Sequence, residues 1–414
     1  MKILIYTTTL LLLFTACQNE SEQQVVTSPT FKELRSPCLQ GGEPNLFTSE
    51  TGQVYLSWVE YQDDTTDVLQ FSVLENDQWS AAQTIASGSN WFVNWADFPS
   101  LVAYQDGGQS LAAHWLQTSA AGTFDYDVRI AQSFDKGKTW TPSFLPHRDS
   151  IHAEHGFVSM LPLSENKIFA TWLDGRNTKG EDHGNTDDHG HGHHGAMSLR
   201  AATFDKDGRL KDEVELDNRV CDCCGTSAAM TDQGLIVAYR DRSEDEIRDI
   251  YIIRQIDGQW TESKPVFEDN WHIAGCPVNG ASIKADGKNV AIVWFTSPDN
   301  NAQVKVAFSE DSGKTFSSPI RIDKGKPLGR VDLILLSKTE ALVSWIEQTE
   351  ENAEIRAVKV NAQAKIGDDF LVATTSSSRQ SGFPVMTKSD NEVVFAWTEA
   401  DSLTSGLRTK LFLY

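Results

Sequence analysis

The sequence is short of positive charge. Its 414 residues include 36 lysines and arginines but 58 aspartates and glutamates, so the formal net charge is −22. Because charge-driven binding of nucleic acid or of anionic lipid needs a basic surface, we expect neither kind of partner. Core-forming residues are not scarce: 40% of the chain is hydrophobic and 23% is charged, as in an ordinary folded protein.

Long apolar runs are missing, apart from one at the N-terminus. Residues 3–14 are mostly apolar, follow Lys2 and lead to Thr15-Ala16-Cys17. The run is too short to span a bilayer and resembles the signal of bacterial lipoproteins, which implies lipidation of Cys17; a plain signal peptide is the alternative. Gln18 after the cysteine resembles outer-membrane sorting. We therefore expect an exported protein held at the bacterial outer membrane by lipid alone, facing the periplasm or the cell surface.

Helical periodicity with capping residues is also missing, and the chain instead repeats one pattern seven times. In each copy a short apolar run ends on an aromatic residue, at intervals of 51 to 67 residues. Each copy carries four strand signals, which predicts an all-β fold, a β-propeller of four-stranded antiparallel blades. The seven aromatic residues are Trp58, Trp115, Trp172, Tyr239, Trp294, Trp345 and Trp397.

Two turns between predicted strands share one motif. Residues 133–140 and 309–316 read Ser-x-Asp-x-Gly-x-Thr followed by Trp or Phe. This motif resembles the Asp box of sialidases and related β-propellers, and the resemblance extends from about residue 44 to the C-terminus. Asp boxes are structural turns, so they indicate the fold rather than an activity. Sialidases form six-bladed rings, which makes six blades the alternative to the seven that the repeats favour.

The last repeat ends after its third strand signal. An open ring would expose strand edges, so we expect residues 24–33 to supply the missing outer strand. The predicted organisation is a signal peptide over 1–16, a segment over 17–33 with the lipidated Cys17, an acidic tether and the closing strand, and a sialidase-like propeller over 34–414.

The remaining cysteines are few, and they are not scattered. All five lie in segments that lead into the first strand of a repeat, and propeller topology gathers these segments around the axis on one face. Two interpretations stay open: two disulfides with one free thiol, or a copper or zinc site of thiolates and imidazoles. The candidate ligands are Cys38, His152, His155, Cys221, Cys223, Cys224, His272 and Cys276.

The third repeat contains an insert, residues 181–195, that is rich in glycine and histidine. It follows a second strand, so topology places it over the same face as the cysteines. It is either a solvated low-complexity loop or an arm that collects metal ions. Acidic residues of neighbouring loops, among them Asp125 and Asp127, would attract cations to this face. The histidines of the insert are His183, His189, His191, His193 and His194.

The resemblance to sialidases implies another kind of site on this face. Those enzymes clamp a substrate carboxylate with three arginines and use a tyrosine nucleophile, a glutamate that assists it and an aspartate acid/base. Here no tyrosine lies between Tyr251 and Tyr414, where the family has its nucleophile. The arginines around residue 240 would otherwise form a surface ion-pair cluster. The residues carried over are Arg35, Arg240, Arg242 and Arg330 for the clamp, Asp97 as acid/base, and Glu154 or Glu244 to polarise a nucleophile.

Three hypotheses about function result. The leading one is a lipid-anchored propeller with a Cys/His-rich centre that binds copper or zinc. The second is an exo-α-sialidase-like glycoside hydrolase, or a protein that binds an acidic glycan, neither of which would need a cofactor. The third is a scaffold that binds an envelope partner through the broad face of the ring.

Overall fold

The chain folds as a seven-bladed β-propeller. The structure, a computed structural model, describes residues 30–38, 40–63, 65–179, 195–400 and 405–414. These residues form seven antiparallel sheets, which confirms the all-β prediction and the choice of seven blades over six. In this described part, no helix is long and apolar enough to cross a bilayer. The predicted signal peptide, Cys17 and the five histidines of the insert lie outside the described residues.

Blades 1 to 6 are built from strands that follow one another along the chain, from the axis outwards, and blade 7 adds β1 as its outermost strand. Blade 2 has three strands, and a bridge between Ile130 and Phe144 extends its outer edge. The strands are β1 Phe31–Leu34; in blade 1, β2 Gly41–Thr48, β3 Val54–Tyr61, β4 Asp67–Glu75, β5 Gln78–Trp79 and β6 Gln83–Gly88; in blade 2, β7 Ser100–Ala103, β8 Leu111–Thr118 and β9 Tyr126–Ser133; in blade 3, β10 His155–Ser164, β11 Lys167–Asp174, β12 Met197–Asp205 and β13 Leu210–Val220; in blade 4, β14 Ser227–Thr231, β15 Gly234–Arg240, β16 Ile250–Ile256, β17 Gln259–Trp260 and β18 Lys264–Pro265; in blade 5, β19 Ser282–Asp286, β20 Asn289–Thr296, β21 Gln303–Ser309 and β22 Ile320–Arg321; in blade 6, β23 Pro327–Leu335, β24 Glu340–Gln348, β25 Ala353–Asn361 and β26 Lys365–Thr375; in blade 7, β27 Val385–Ser389, β28 Glu392–Ala400 and β29 Ser405–Leu413.

The first strand of every blade lines the axis. These seven strands and the segments before them enclose a central cavity of about 280 Å³. Three short 3-10 helices are present in the described residues, at Arg176–Thr178, Pro298–Asn300 and Arg379–Ser381. The five cysteines of the described residues all precede an innermost strand, as the repeat predicted.

An N-terminal strand closes the ring, as predicted. Strand β1 pairs antiparallel with β29 as the outermost strand of blade 7, with Phe31 opposite Phe412 and Leu34 opposite Thr409. It lies at the C-terminal end of the segment expected to close the ring. The Phe31 ring packs against Phe370 and Phe412, with centroids 6.0 and 5.4 Å apart.

The repeated aromatic residues form the core between blades, and all seven are buried. Their position on the second strand places each ring between neighbouring sheets, where an aromatic side chain buries the most apolar area. The indole N–H of Trp58, Trp172 and Trp345 donates to a carboxylate two residues later, at 2.7 to 2.9 Å. This satisfies the polar group and fixes a carboxylate, Asp174 in blade 3, at the end of the strand.

The two Asp-containing turns have the same hydrogen bonds. In one, Asp135 accepts from the backbone N–H and the hydroxyl of Thr139, at 2.9 and 2.7 Å. Asp311 accepts the same pair from Thr315. Gly137 has a φ of 83°, which glycine adopts without strain. Each turn joins a third strand to the outer part of its blade.

Candidate functional site

Three cysteine thiols converge between blades 3 and 4. The turn between β13 and β14 folds residues 221–224 back on themselves, so that the sulfur of Cys221 lies 3.5 Å from that of Cys224 and 4.0 Å from that of Cys223. Cys221 and Cys224 are buried and Cys223 is partly exposed. All five cysteines of the described residues are free thiols. The three sulfurs could therefore serve as ligands to one metal ion.

Positive charge lies against this thiol cluster. The Arg248 guanidinium donates to the sulfur of Cys221 over 3.3 Å. Burial opposes ionisation, but hydrogen bonds from the neighbouring thiols and the charges of Arg248 and Arg240 together lower the pKa of Cys221 well below its usual value. The pKa of Cys223 is raised, chiefly by the hydrogen bonds that its thiol gives to Cys221 and Cys224. The positive charge of Arg248 and the neighbouring thiols thus favour the thiolate form at Cys221.

The other predicted ligands divide into two groups. Cys276 lies near Cys223, but it is exposed and is not one of the three cysteines whose sulfurs lie within 4.8 Å of one another. Cys38 lies elsewhere and packs with Leu56, Trp58 and Leu407 between blades 7 and 1. His152 and His272 have exposed side chains. The structure therefore does not bring Cys38 to the cluster, and a disulfide between them would need a large movement of the backbone.

His155 takes part in a different cluster from the one expected. Its ring stacks on that of His147, with centroids 3.8 Å apart, and its nearest carboxylates are Asp149, Asp127 and Asp174 at 3.2 to 3.6 Å. The sequence analysis did not connect His147 with this position.

Two predicted catalytic residues meet at a tyrosine. The buried hydroxyl of Tyr126 lies 2.9 Å from Asp97 Oδ2 and 3.0 Å from Glu154 Oε1. Asp97 Oδ1 also accepts the backbone N–H of Phe157 at 2.7 Å. Burial is the main cause that raises the pKa of Asp97 to about 7 and that of Glu154 to about 8. Carboxyls with such pKa values can both donate and accept a proton near neutral pH.

Sequence analysis missed Tyr126, because the family's tyrosine was sought late in the chain. A signal does exist: Tyr126 and Asp127 begin β9, and a parallel bridge pairs Tyr126 with Glu154. Alternate side chains of a strand point to opposite sides. Tyr126 and Glu154 consequently meet Asp97, while Asp127 and His155 meet His147. Glu244, the other candidate, is exposed.

The predicted arginine clamp does not converge. Arg240 is 1% exposed and donates to the backbone carbonyls of Asn279, Arg248 and Phe295. Arg242 forms an ion pair at 2.7 Å with Glu246, whereas the ion-pair alternative had grouped it with Arg240 and Glu244. Arg35 lies in a separate depression beside blade 7.

Arg330 is the exception among these arginines. Its buried guanidinium donates to Ser381 Oγ and to the carbonyls of Ser378 and Gly382, and lies 4.9 Å from the centre of the Trp95 ring. Arg379 lies over the same ring at 5.8 Å. Within the described ranges, neither arginine has a carboxylate at ion-pair distance. Burial, and secondarily the charge of Arg379, lower the pKa of Arg330 to about 10.

Comparison with known proteins extends the fold assignment. No protein-family model matches the chain, and no curated protein sequence is similar to it. Similar solved structures include a protein of unknown function from Dyadobacter fermentans (TM-score 0.52, 14% identity, 92% of this chain and 99% of that one). Another is the polysaccharide lyase Uly1 (TM-score 0.53, 9% identity, 92% of this chain and 90% of that one). A third is the phage phi92 endosialidase (TM-score 0.51, 10% identity, 93% of this chain and 69% of that one). At these identities the likeness shows the fold.

Proposed function

We propose that this protein binds a soft metal ion, Cu(I) or Zn(II), through the thiolates of Cys221, Cys223 and Cys224. The observation that carries the proposal is the spacing of the sulfurs, 3.5 and 4.0 Å. Thiolates at about 2.3 Å from one metal ion lie roughly 3.8 Å apart in a tetrahedral site and roughly 4.0 Å apart in a trigonal one. The turn therefore holds the sulfurs close to the separation that a bound ion requires.

The charges around Cys221, one of the three thiols, support the same proposal. A metal ligand must be the thiolate, and the lowered pKa of Cys221 favours that form. Several thiolates bound to one Cu(I) or Zn(II) ion carry more negative charge than the ion neutralises. Arg248 lies beside the sulfur of Cys221 and would compensate part of this excess.

Cys276 decides between the two metals. Three thiolates suit Cu(I), whereas structural Zn(II) takes four ligands. Cys276 precedes β19, lies near Cys223 and is the candidate fourth thiol, although its sulfur is not within 4.8 Å of all three others. Changing Cys276 to Ser should weaken Zn(II) binding much more than Cu(I) binding.

The test is a titration of the reduced full chain, under exclusion of oxygen, against a chelator that competes for Cu(I) or Zn(II). Replacing Cys221, Cys223 and Cys224 together by Ser should abolish one high-affinity site, and X-ray absorption should show metal–sulfur distances of about 2.3 Å. Cys38→Ser is the matched control, because this buried thiol lies elsewhere. An unchanged titration in the triple variant, or fully oxidised thiols in protein isolated without reductant, contradicts the proposal.

We propose further that the histidine-rich insert, residues 181–195, collects ions for this centre. Deleting it should reduce metal binding by the chain. Identical copper and zinc titrations with and without the insert would contradict this role.

A second candidate function is recognition of an acidic glycan at Arg330, Arg379 and Trp95. The specific observation is that the buried Arg330 guanidinium, although it donates to a hydroxyl and two carbonyls, has no carboxylate at ion-pair distance among the described residues, so an anion would compensate its charge. Carboxylate or sulfate groups accept bidentate hydrogen bonds from guanidinium, and sugar rings pack on aromatic faces.

This candidate is tested with uronate-containing, sialylated and neutral oligosaccharides. Arg330→Met should remove binding of the acidic sugars, and Arg321→Met, whose guanidinium pairs with Asp323 on an outer strand, should not. Turnover that is lost in Asp97→Asn would make the site catalytic. Equal binding of neutral and acidic sugars would contradict charge recognition.

We also propose that the chain is exported and anchored by a lipid on Cys17. Cys17→Ser should release the protein from the outer membrane into the soluble fraction. Membrane association that persists in this variant would exclude lipid as the only anchor.

A further inference from the structure

A buried pair of histidines lies between blades 2 and 3, apart from the thiol cluster. His147 precedes β10, and His155 is its first residue. The two rings are parallel within 1° and their centroids are 3.8 Å apart. The side chains are 3% and 0% exposed. Neither the thiol site nor the glycan candidate uses this pair.

In the part of the chain that the structure describes, the ring nitrogens of His155 have only oxygen atoms as polar partners. Its Nδ1 lies 3.2 Å from the carbonyl of Ala153, 3.4 Å from that of Tyr126 and 3.6 Å from Asp127 Oδ1. Its Nε2 lies 3.2 Å from Asp149 Oδ2. A neutral imidazole has one N–H and one lone pair, so one nitrogen would face oxygens without a hydrogen between them. A cation or a second proton is needed there.

The surroundings of His147 also indicate that a cation or an additional proton is missing. Within the described residues, neither of its ring nitrogens makes a hydrogen bond. The nearest acceptors are Asp149 Oδ2, 3.5 Å from Nδ1, and Asp127 Oδ1, 3.7 Å from Nε2, which is too long for a strong hydrogen bond. A buried polar side chain without a partner is uncommon, and an ion is one of its ordinary explanations.

The charges around the pair are unbalanced. Asp127, Asp149 and Asp174 face the two rings, and Arg176 is the one cationic side chain of the described residues that pairs with them, 3.0 Å from Asp149 and 2.7 Å from Asp174. With neutral imidazoles, two negative charges remain uncompensated. Glu213, 3.6 Å from Arg176, is partly exposed to solvent and adds to the excess. A divalent ion would compensate the two charges that remain on the three aspartates.

We propose that Asp127, His147 and His155 bind one divalent transition-metal ion, with Zn(II) the best fit to imidazole and carboxylate ligands, in a second site independent of the thiolates. One ligand atom from each lies within 4.8 Å of the others. Ligands about 2.1 Å from a tetrahedral ion are roughly 3.4 Å apart, close to the 3.6 and 3.7 Å between Asp127 and the two rings.

The neighbours of these ligands fit the same site. In the tautomer with its hydrogen on Nε2, His155 donates to Asp149 and leaves the Nδ1 lone pair for the ion, the usual arrangement of a carboxylate behind a metal-bound histidine. Arg176 in turn holds Asp149. His147, which no hydrogen bond restrains, can turn its ring to direct a lone pair at the ion. A water molecule would take the fourth position.

The test needs a chain without the other metal-binding groups. We would replace Cys276 and the three cysteines of the thiol cluster by Ser and the five histidines of the insert by Asn, and confirm folding by circular dichroism. After loading with zinc and desalting, this chain should retain one zinc, and zinc should raise its Tm. Adding His147→Asn should remove both the zinc and the Tm shift. Asp127→Asn should weaken binding at least tenfold, and His152→Asn, at an exposed histidine nearby, should change neither.

Two outcomes would overturn this site. One is equal zinc content with and without His147→Asn. The other is that the folded variant without the cysteines and the insert histidines retains no zinc and becomes less stable as pH rises. That result would mean that protons on the histidines, rather than a metal ion, balance the carboxylates. If the multiple variant does not fold, the wild-type chain should still lose one zinc per molecule on His147→Asn alone, and an unchanged stoichiometry there overturns the site equally.

Discussion

The Arg248 guanidinium donates a hydrogen bond to the sulfur of Cys221 over 3.3 Å, in a place where both side chains are buried. The same guanidinium is held by Glu246 at 2.7 Å, so its orientation towards the sulfur is fixed before any ligand binds. A positioned positive charge stabilises the thiolate without competing for the metal ion.

Replacing Arg248 by Gln should therefore weaken metal binding at the thiol cluster by about tenfold or more, the usual effect of losing a group that supports a ligand. Competitive titration with Cu(I) and Zn(II) measures the change. Arg242→Gln is the matched control, because Arg242 shares the partner Glu246 but makes no hydrogen bond to a sulfur. Equal losses in the two variants would mean that Arg248 acts through general charge rather than through Cys221.

Asp97 should make the protein less stable as pH rises towards 7. Burial raises the pKa of its folded-state carboxyl to about 7, whereas an unfolded aspartate ionises near pH 4. Between these values the folded state holds a proton that the unfolded state has released, so the free energy of unfolding falls with pH until about pH 7. Asp97→Asn should remove this contribution, roughly 2 to 3 kcal/mol between pH 5 and pH 7.

Urea denaturation at pH 5 and pH 8, in chelator, checks the prediction. Asp135→Asn serves as control, because the hydrogen bonds from Thr139 lower the pKa of Asp135 to about 2 and it does not titrate in this range. A pH dependence in Asp97→Asn that equals the wild-type slope would show that another group is responsible.

The fold was predictable because its information is local and repeated. Seven aromatic residues at similar spacing specify seven second strands, and each needs only its own neighbours to pack. The contact among Cys221, Cys223 and Cys224 was equally local. Cys38 was expected beside them because it also precedes an inner strand, but in a ring of seven blades equivalent positions can lie across the axis from each other.

The clusters at Tyr126 and His147 were not predicted, because their residues come from different blades and form no sequence motif. Tyr126 and Glu154 are 28 residues apart and meet only because β9 and the start of β10 run side by side. The alternation of side chains along those two segments then determines which residues meet Asp97 and which meet His147. Register between blades, which the sequence does not encode locally, decides such contacts.

Arg240 should prove structural rather than substrate-binding. Its guanidinium is buried and donates to three backbone carbonyls from two segments of blade 5 and one of blade 4. Arg240→Met leaves these acceptors unpaired, so we expect a loss of roughly 3 to 5 kcal/mol in the free energy of unfolding. Arg242→Met, which breaks only partly exposed ion pairs, should cost about 1 kcal/mol or less. Denaturant unfolding of both variants measures the difference, and loss of glycan binding in a fully stable Arg240→Met protein would restore the clamp hypothesis.

The closing strand should contribute to the stability of the whole ring. The Phe31 ring packs among Phe370, Phe395 and Phe412, and its backbone pairs with β29. Because Phe31 is partly buried, Phe31→Ala should cost about 2 kcal/mol, less than truncation of a fully buried phenylalanine. Leu413→Ala is the matched control, since Leu413 lies on β29 but is 56% exposed.

Hydrogen exchange separates two mechanisms by which β1 could stabilise the ring. Strand β29 of blade 7 contacts β2 of blade 1. If β1 holds the ring closed, Phe31→Ala should therefore speed amide exchange in β2 as well as in β29. A purely local effect would be confined to β1 and β29.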